Sequence, residues 1–237
     1  MSLWLCLRFH QLPLQCLNRS EQQAVVVLEK QRVLRANDNA GAQGVNQGMK
    51  VATVRALVGE APLQLLERDT EAEVRCLQQL CCWAYGVTPT LYSWREDCLQ
   101  LEVGSCLTLY RGLAPLLASV ETGIHKRGFS VRYALAPTPR AAWLLTFAEG
   151  ERATAIEQPL EERLAPLPLA LLTDYGGTVD SLRRAGLHNL GDILQLPPRA
   201  LGRRCGREFC DFLQQVTGQR EDIQPDYTPP ALSLIHI

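Results

Sequence analysis

No run of about 18 apolar residues occurs in the chain, so no stretch is long and apolar enough to cross a membrane as a helix. The N-terminus, Met1-Ser2-Leu3-Trp4-Leu5-Cys6-Leu7-Arg8, has no basic region ahead of its apolar residues and reads as a buried strand rather than a signal peptide. Neither sign of charge prevails: 24 Lys and Arg stand against 25 Asp and Glu, a net charge of −1. That excludes a uniformly basic nucleic-acid binder and confines any such site to a local patch. The nine cysteines form no Cys-x-x-Cys pair. Cys6 and His10 are close in sequence, but no second pair at ligand spacing completes a set of four, so no zinc site is expected. The odd thiol count, with Cys81 and Cys82 adjacent on an expected helix, suits reduced and mostly buried thiols in a cytoplasmic protein. Neither a Walker pattern nor G-x-G-x-x-G is present.

What is there is a globular composition. With 237 residues, 46% of them hydrophobic, the chain fits one large domain or two smaller ones with ample core. Residues 3–9 form a short apolar strand, and Leu12 to Leu17 a helix or turn after Pro13. The β-branched run Ala24 to Leu28, a turn at residues 29–32 and Val33-Leu34 read as a hairpin. Residues 36–49 are rich in Gly and Asn and read as a loop between strand and helix, the alternative being a cradle of backbone N–H groups for phosphate. Residues 50–58 follow as a helix. A longer one runs from an N-cap at Thr70 to about Gly86, with Val74, Leu77, Cys81 and Ala84 as its apolar face. Leu113 to Gly128 is a further helix, Phe129 to Leu135 a strand, and Pro137-Thr138-Pro139-Arg140 the entry to a helix over 141–148. Strands alternating with helices imply an α/β (α+β) layered domain.

The organising stretch is Trp94 to Val103. From Cys98 it alternates, with Leu99, Leu101 and Val103 on one face and Cys98, Gln100 and Glu102 on the other, the period of a half-buried strand. It opens with Asp97 and carries Glu102. A two-metal phosphoryl-transfer enzyme needs clustered carboxylates here, because Mg²⁺ takes hard oxygen ligands. Asp97 is instead followed by Cys98, and a neutral thiol is a poor Mg²⁺ ligand. The plainer reading is an ordinary strand with a solvated Asp and Glu.

Beyond residue 150 the character changes. Glutamates and Pro159, Pro166 and Pro168 mark residues 150–168 as a linker or domain edge. Short helices separated at Gly186, Pro197, Gly206 and Gly218 follow, with Arg199, Arg203, Arg204 and Arg207 making the region locally basic. Such helices suit a module that presents N–H groups and arginines to a phosphate backbone; an ordinary solvated helix face fits the pattern equally.

The order of elements resembles the palm, fingers and thumb of the Y-family translesion DNA polymerases, and most closely their ImuB-type, non-catalytic branch. The thumb carries the most specific match, Leu182-x-x-x-Gly186-Leu187-x-x-Leu190-Gly191-Asp192-Ile193-Leu194-x-Leu196-Pro197, then Ala200-Leu201-x-Arg203-Arg204-x-Gly206. Ala36-Asn37 with Gly44-Val45 and Gly48-Met49 resembles the fingers motif, and Asp97-x-x-x-Leu101-Glu102-Val103 the acidic palm motif. The resemblance implies palm at 1–16 and 65–165, fingers at 17–64 and a helical thumb at 166–227. Residues 228–237 then form a tail that fits nothing expected there, and the family's little finger is absent.

The departures carry the function. By resemblance, Cys6 stands where active relatives hold a metal-binding Asp, Arg8 at a second acidic position, and Gln11 at the aromatic gate against ribose. Asp38 and Gly41 replace a triphosphate-holding Tyr and Arg. In the palm pair Asp97 remains and Cys98 replaces Glu. Arg140 keeps the chemistry of a basic phosphate contact. The resemblance therefore implies a scaffold in DNA repair and the SOS response that binds DNA through Arg140, Arg199, Arg203, Arg204 and Arg207. It would have no metal or cofactor and would act with an ImuA-type protein, the sliding clamp and an error-prone replicative-type polymerase. The alternative is a divergent nucleotidyltransferase using Mg²⁺ at Asp97 and Glu102, with Glu96 as a further acid. Gln11-Leu12-Pro13-Leu14 faintly resembles a sliding-clamp peptide but falls in an expected core segment.

Overall fold

The computed structural model describes residues 2–18, 23–225 and 227–229. Strand β1 (Trp4–Arg8) leads through the single-turn helix α1 (Leu12–Gln15) to the hairpin β2 (Ala24–Glu29) and β3 (Arg32–Ala36). The hairpin turns at Lys30 and Gln31, both with positive φ (49° and 62°), the handedness that lets a two-residue turn follow strand twist. Helix α2 (Asp38–Ala42) occupies part of the Gly/Asn-rich stretch, its N-terminus capped by the Asn37 side chain, which accepts from the Ala40 N–H at 3.0 Å. Helix α3 (Val51–Val58) follows, and then β4 (Leu63–Glu67), which pairs parallel to β2 and completes a three-stranded sheet ordered β3-β2-β4. Ala40, Val45, Val54 and Val58 pack on Val26 and Leu28 to give this part its own core.

The long helix α4 (Thr70–Ala84) is capped by Asp69, one residue earlier than expected. Its buried face is Leu77, Leu80, Cys81 and Ala84; Val74, expected on it, is 55% exposed, because the helix turns that residue away from the sheet. Strands β5 (Leu91–Trp94) and β6 (Cys98–Glu102) form a tight antiparallel pair. Helix α5 (Leu113–Lys126), β7 (Arg132–Ala136) and α6 (Pro139–Leu145, capped by Thr138) follow. The four strands make an antiparallel sheet ordered β5-β6-β1-β7, in which Cys6 lies opposite Gln100 and Arg8 opposite Cys98.

This sheet is covered on both faces, which corrects the half-buried expectation for β6. Leu99, Leu101 and Val103 join Leu5 and Leu7 under α4 and α5. Cys6, Cys98, Ala134 and Ala136 face α6 and the helical region beyond it. That region begins with α7 (Leu160–Leu164), and the stretch expected as a linker or domain edge is anchored in the core near its end: Leu164 and Leu167 are buried, and the fully buried Arg163 donates to the carbonyls of Leu135 and Ala153. Helices α8 (Gly176–Arg184), α9 (Leu190–Leu194) and α10 (Pro198–Thr217) complete it, α10 bending at Gly206, whose φ of 79° and ψ of 169° are not helical. Residues 219–225 then return toward the four-stranded sheet, and the Tyr227 N–H reaches the Leu91 carbonyl at 2.7 Å. The expected non-native tail falls, from residue 230 on, outside the described residues.

Candidate functional site

The β1–β6 pairing brings Cys6, Asp97 and Cys98 together at one place on the sheet. Both thiols are fully buried. Cys98 donates to Asp97 Oδ1 at 3.1 Å. The neighbouring Cys6, burial and Asp97 together push the Cys98 thiol far up, so it stays protonated. Arg8, at the end of β1, donates to the Thr146 carbonyl at 3.2 Å and lies 3.8 Å over the Phe147 ring. Burial draws its pKa down while Asp97 opposes that, and a guanidinium remains charged throughout. Two buried thiols, one carboxylate and a cation are a donor set unsuited to Mg²⁺, whose ligands are hard oxygens. Among the described residues, no three His, Cys, Asp or Glu side chains converge as metal ligands do.

Asp97 and Glu102 are not brought together. They sit at opposite ends of β6, roughly 16 Å apart at about 3.3 Å per residue. Glu102 instead holds the turn after the strand: its carboxylate accepts from the N–H groups of Leu3 (3.1 Å), Gly104 (3.0 Å) and Ser105 (3.1 Å) and from the Ser105 hydroxyl (2.6 Å). Burial works against its charge, but these bonds outweigh it and keep the carboxyl below its ordinary value. Glu96 is also engaged elsewhere. Arg68 gathers Glu96 (2.7 Å), Glu73 (2.7 Å) and Glu29 (2.9 Å) about one guanidinium beside Asp97. Phe9, His10, Arg35, Arg68, Arg95 and Asp97 line the cleft of about 430 Å³ there.

Gln11, Asp38 and Gly41, which the resemblance places about a nucleotide site, line one shallow cleft, of about 400 Å³, against β3. Gln11 reaches the Ala36 carbonyl at 3.5 Å, and the Arg35 Nε donates to the His10 carbonyl at 2.7 Å, fixing the two sheets relative to each other.

The expected DNA-binding arginines separate into two groups. Arg203, Arg204 and Arg207 lie on the exposed side of α10, opposite Leu201, Cys205 and Phe209. Arg207 has Asp211 at 3.7 Å; Arg203 and Arg204 have no carboxylate within 4.0 Å among the described residues. The side chain of Arg199 lies outside the described residues. Arg140 is elsewhere, at the start of α6, and pairs with Asp222 at 3.0 Å; the Asp222 side chain is only 4% exposed.

Sequence reasoning missed what surrounds Arg140. Arg95, with positive φ (58°) in the β5–β6 turn, lies 4.2 Å over Trp143 and 5.1 Å over Trp94, and is paired with Asp174. Arg140 lies 5.5 Å over Trp94 and 5.4 Å over Phe212. Trp94 and Trp143 meet edge to face at 5.1 Å, and Trp143 and Phe147 at 5.4 Å. The adjacency of Trp94 and Arg95 was a faint local signal. Asp174 and Asp222 gave none, since they come from 79 and 82 residues away.

A family model described as the impB/mucB/samB family matches residues 11–146. Two curated relatives, each named Protein ImuB and coming from Caulobacter vibrioides strains NA1000 / CB15N and ATCC 19089 / CIP 103742 / CB 15, are 30% identical over 175 residues. That match covers 74% of this chain and 38% of each relative, so the chain spans well under half of their length. Among solved structures, a Y-family DNA polymerase chimera built on Dbh superposes with a TM-score of 0.70 at 14% identity, over 95% of this chain and 70% of that one. DinB from Sulfolobus solfataricus does so with a TM-score of 0.68 at 15% identity, over 93% and 68%. At these identities the structural likeness is one of fold.

Proposed function

The chain belongs to the impB/mucB/samB family, and on that premise we propose that it serves DNA damage tolerance as a polymerase-shaped protein that holds DNA without joining nucleotides to it. The observation that carries this reading is the buried pair Cys6 and Cys98 around a lone Asp97. Phosphoryl transfer needs the charge of the transition state to be clamped, by metal ions held on carboxylates. At this point of the sheet the protein offers sulfur, one carboxylate already accepting a hydrogen bond, and the cation of Arg8. DNA is held, on this reading, by the exposed arginines of α10, with Arg203 and Arg204 free to meet phosphate. The polymerase fold is retained for its shape. The resemblance extends the proposal to partners: an ImuA-type protein, the sliding clamp and an error-prone replicative-type polymerase, met in the cytoplasm during the SOS response.

Primer extension on a template with Mg²⁺ or Mn²⁺, beside a duplex-binding titration at several salt concentrations, tests this. The expected result is no incorporation, together with binding that weakens severalfold in the Arg203→Ala, Arg204→Ala variant. Its log K against log salt slope should fall by about 1.8, at roughly 0.9 per lost phosphate contact. Incorporation that disappears in Asp97→Ala would overturn the proposal.

A further inference from the structure

The aromatic ladder at the junction of palm and helical region carries more positive charge than its size suggests. Phe147, Trp143, Trp94 and Phe212 support the guanidinium groups of Arg8, Arg95 and Arg140. The Nε of Arg8 and of Arg95 is buried without a hydrogen-bond acceptor, and that of Arg140 lies 3.0 Å from Asp222 Oδ2. An unsatisfied donor on a charged group is costly, and two on one ladder, beside a third guanidinium already matched by a carboxylate, mark a place built to receive anionic oxygens. Two carboxylates now supply part of that need. Asp174, just ahead of α8, pairs with Arg95, and Asp222, in the segment leaving α10, pairs with Arg140. Both flank the helical region, and both reach back to cations of the palm.

We propose that Arg95 and Arg140 form a second polyanion site, distinct from the α10 face, in which Asp174 and Asp222 stand in for the phosphates of a single-stranded nucleic acid. Stacked guanidinium groups beside the half-buried Trp94 suit a strand that offers both phosphates and bases. When phosphates take the arginines, the two carboxylates leave, and the helical region loses two of the ion pairs that hold it to the palm. The carboxylates thus set a threshold: weak or single anions fail to displace them, whereas a continuous strand replaces both at once. This rests on the DNA-binding reading above and adds to it a site and its competitor.

The test is the affinity of a fluorescent single-stranded oligonucleotide for the whole chain by anisotropy, across a salt series. Asp174→Asn with Asp222→Asn keeps the shape of both side chains and removes the competing charge. The expected result is binding at least fivefold tighter, with a salt slope steeper by about 1.4, at roughly 0.7 per freed cation on a single strand. Adding Arg95→Ala and Arg140→Ala to that variant should return the slope to the wild-type value. A folded Asn variant, judged by circular dichroism, with unchanged affinity and slope overturns the proposal. If wild type still binds through Arg203 and Arg204 in that case, the proposed function stands and only this second site falls. If no variant binds, both fall together.

Discussion

At the residue scale, the surroundings of a side chain decide what its type alone leaves open. Cys6 and Cys98 put buried sulfur in the middle of the sheet, and a cysteine behaves in such a place as a small hydrophobe. Glu102 shows the opposite conversion. It looks like a palm acid, yet it is a hydrogen-bond acceptor for a turn. Its carboxyl is held below the ordinary value, so its contribution to stability is fully present above the unfolded carboxylate pKa of about 4.3 and is lost as pH falls through the lower, folded value. Glu102→Gln should therefore cost roughly 1 to 2 kcal/mol at pH 7. The gap between variant and wild type should close as pH falls toward that lower value. Urea unfolding at pH 7, 5 and 3 checks this; a gap independent of pH assigns the cost to packing instead.

At the scale of elements, the helical region depends on close approach. Gly191, in the first turn of α9, donates to the Ala165 carbonyl at 3.0 Å, and a Cβ there would lie 2.9 Å from the Ala165 Cβ and 3.1 Å from its backbone oxygen. Backbone cannot yield as a side-chain tip can. Gly191→Ala is expected to destabilise the protein by about 1–3 kcal/mol, read as a lowered Tm. Gly202→Ala, where nothing lies within 4 Å of the added methyl, should be neutral or slightly stabilising through helix propensity. Equal effects at both positions would remove the packing argument. Sequence patterning found α4, α5 and the bend in α10, because their apolar periodicity and glycine breaks are local. It passed over β4, whose Leu63, Leu65 and Leu66 are parted only by Gln64, and it placed Val74 on a face that the packing of α4 turns outward.

At the scale of the molecule, one core runs from the palm sheet into the helical region. Cys6, Ala134, Trp143, Leu164, Leu182, Ile193 and Phe209 belong to a single buried cluster. Trp143 lies near its centre, 3% exposed, with Trp94, Phe147 and Arg95 about it. Trp143→Ala should cost about 3–5 kcal/mol. Heat or urea should unfold sheet and helices together, so that tryptophan fluorescence and far-ultraviolet circular dichroism give coincident transitions. Two well-separated transitions would mean that the palm and the helical region are independent units joined at the surface.

The sequence by itself determined most of the strands and helices, the alternation of β6, the thiols at Cys6 and Cys98 where a metal site would need carboxylates, and the basic run that becomes the exposed side of α10. These are properties of neighbours in the chain, where period and residue type suffice. Only the tertiary structure decided that β6 is buried on both faces, that Arg163, Leu164 and Leu167 of the glutamate- and proline-rich stretch are buried, and that Arg95 and Arg140 are matched by Asp174 and Asp222. Each of these depends on groups brought together from distant parts of the chain. Burial and electrostatic pairing act through space, and no spacing along the sequence records which carboxylate will meet which arginine.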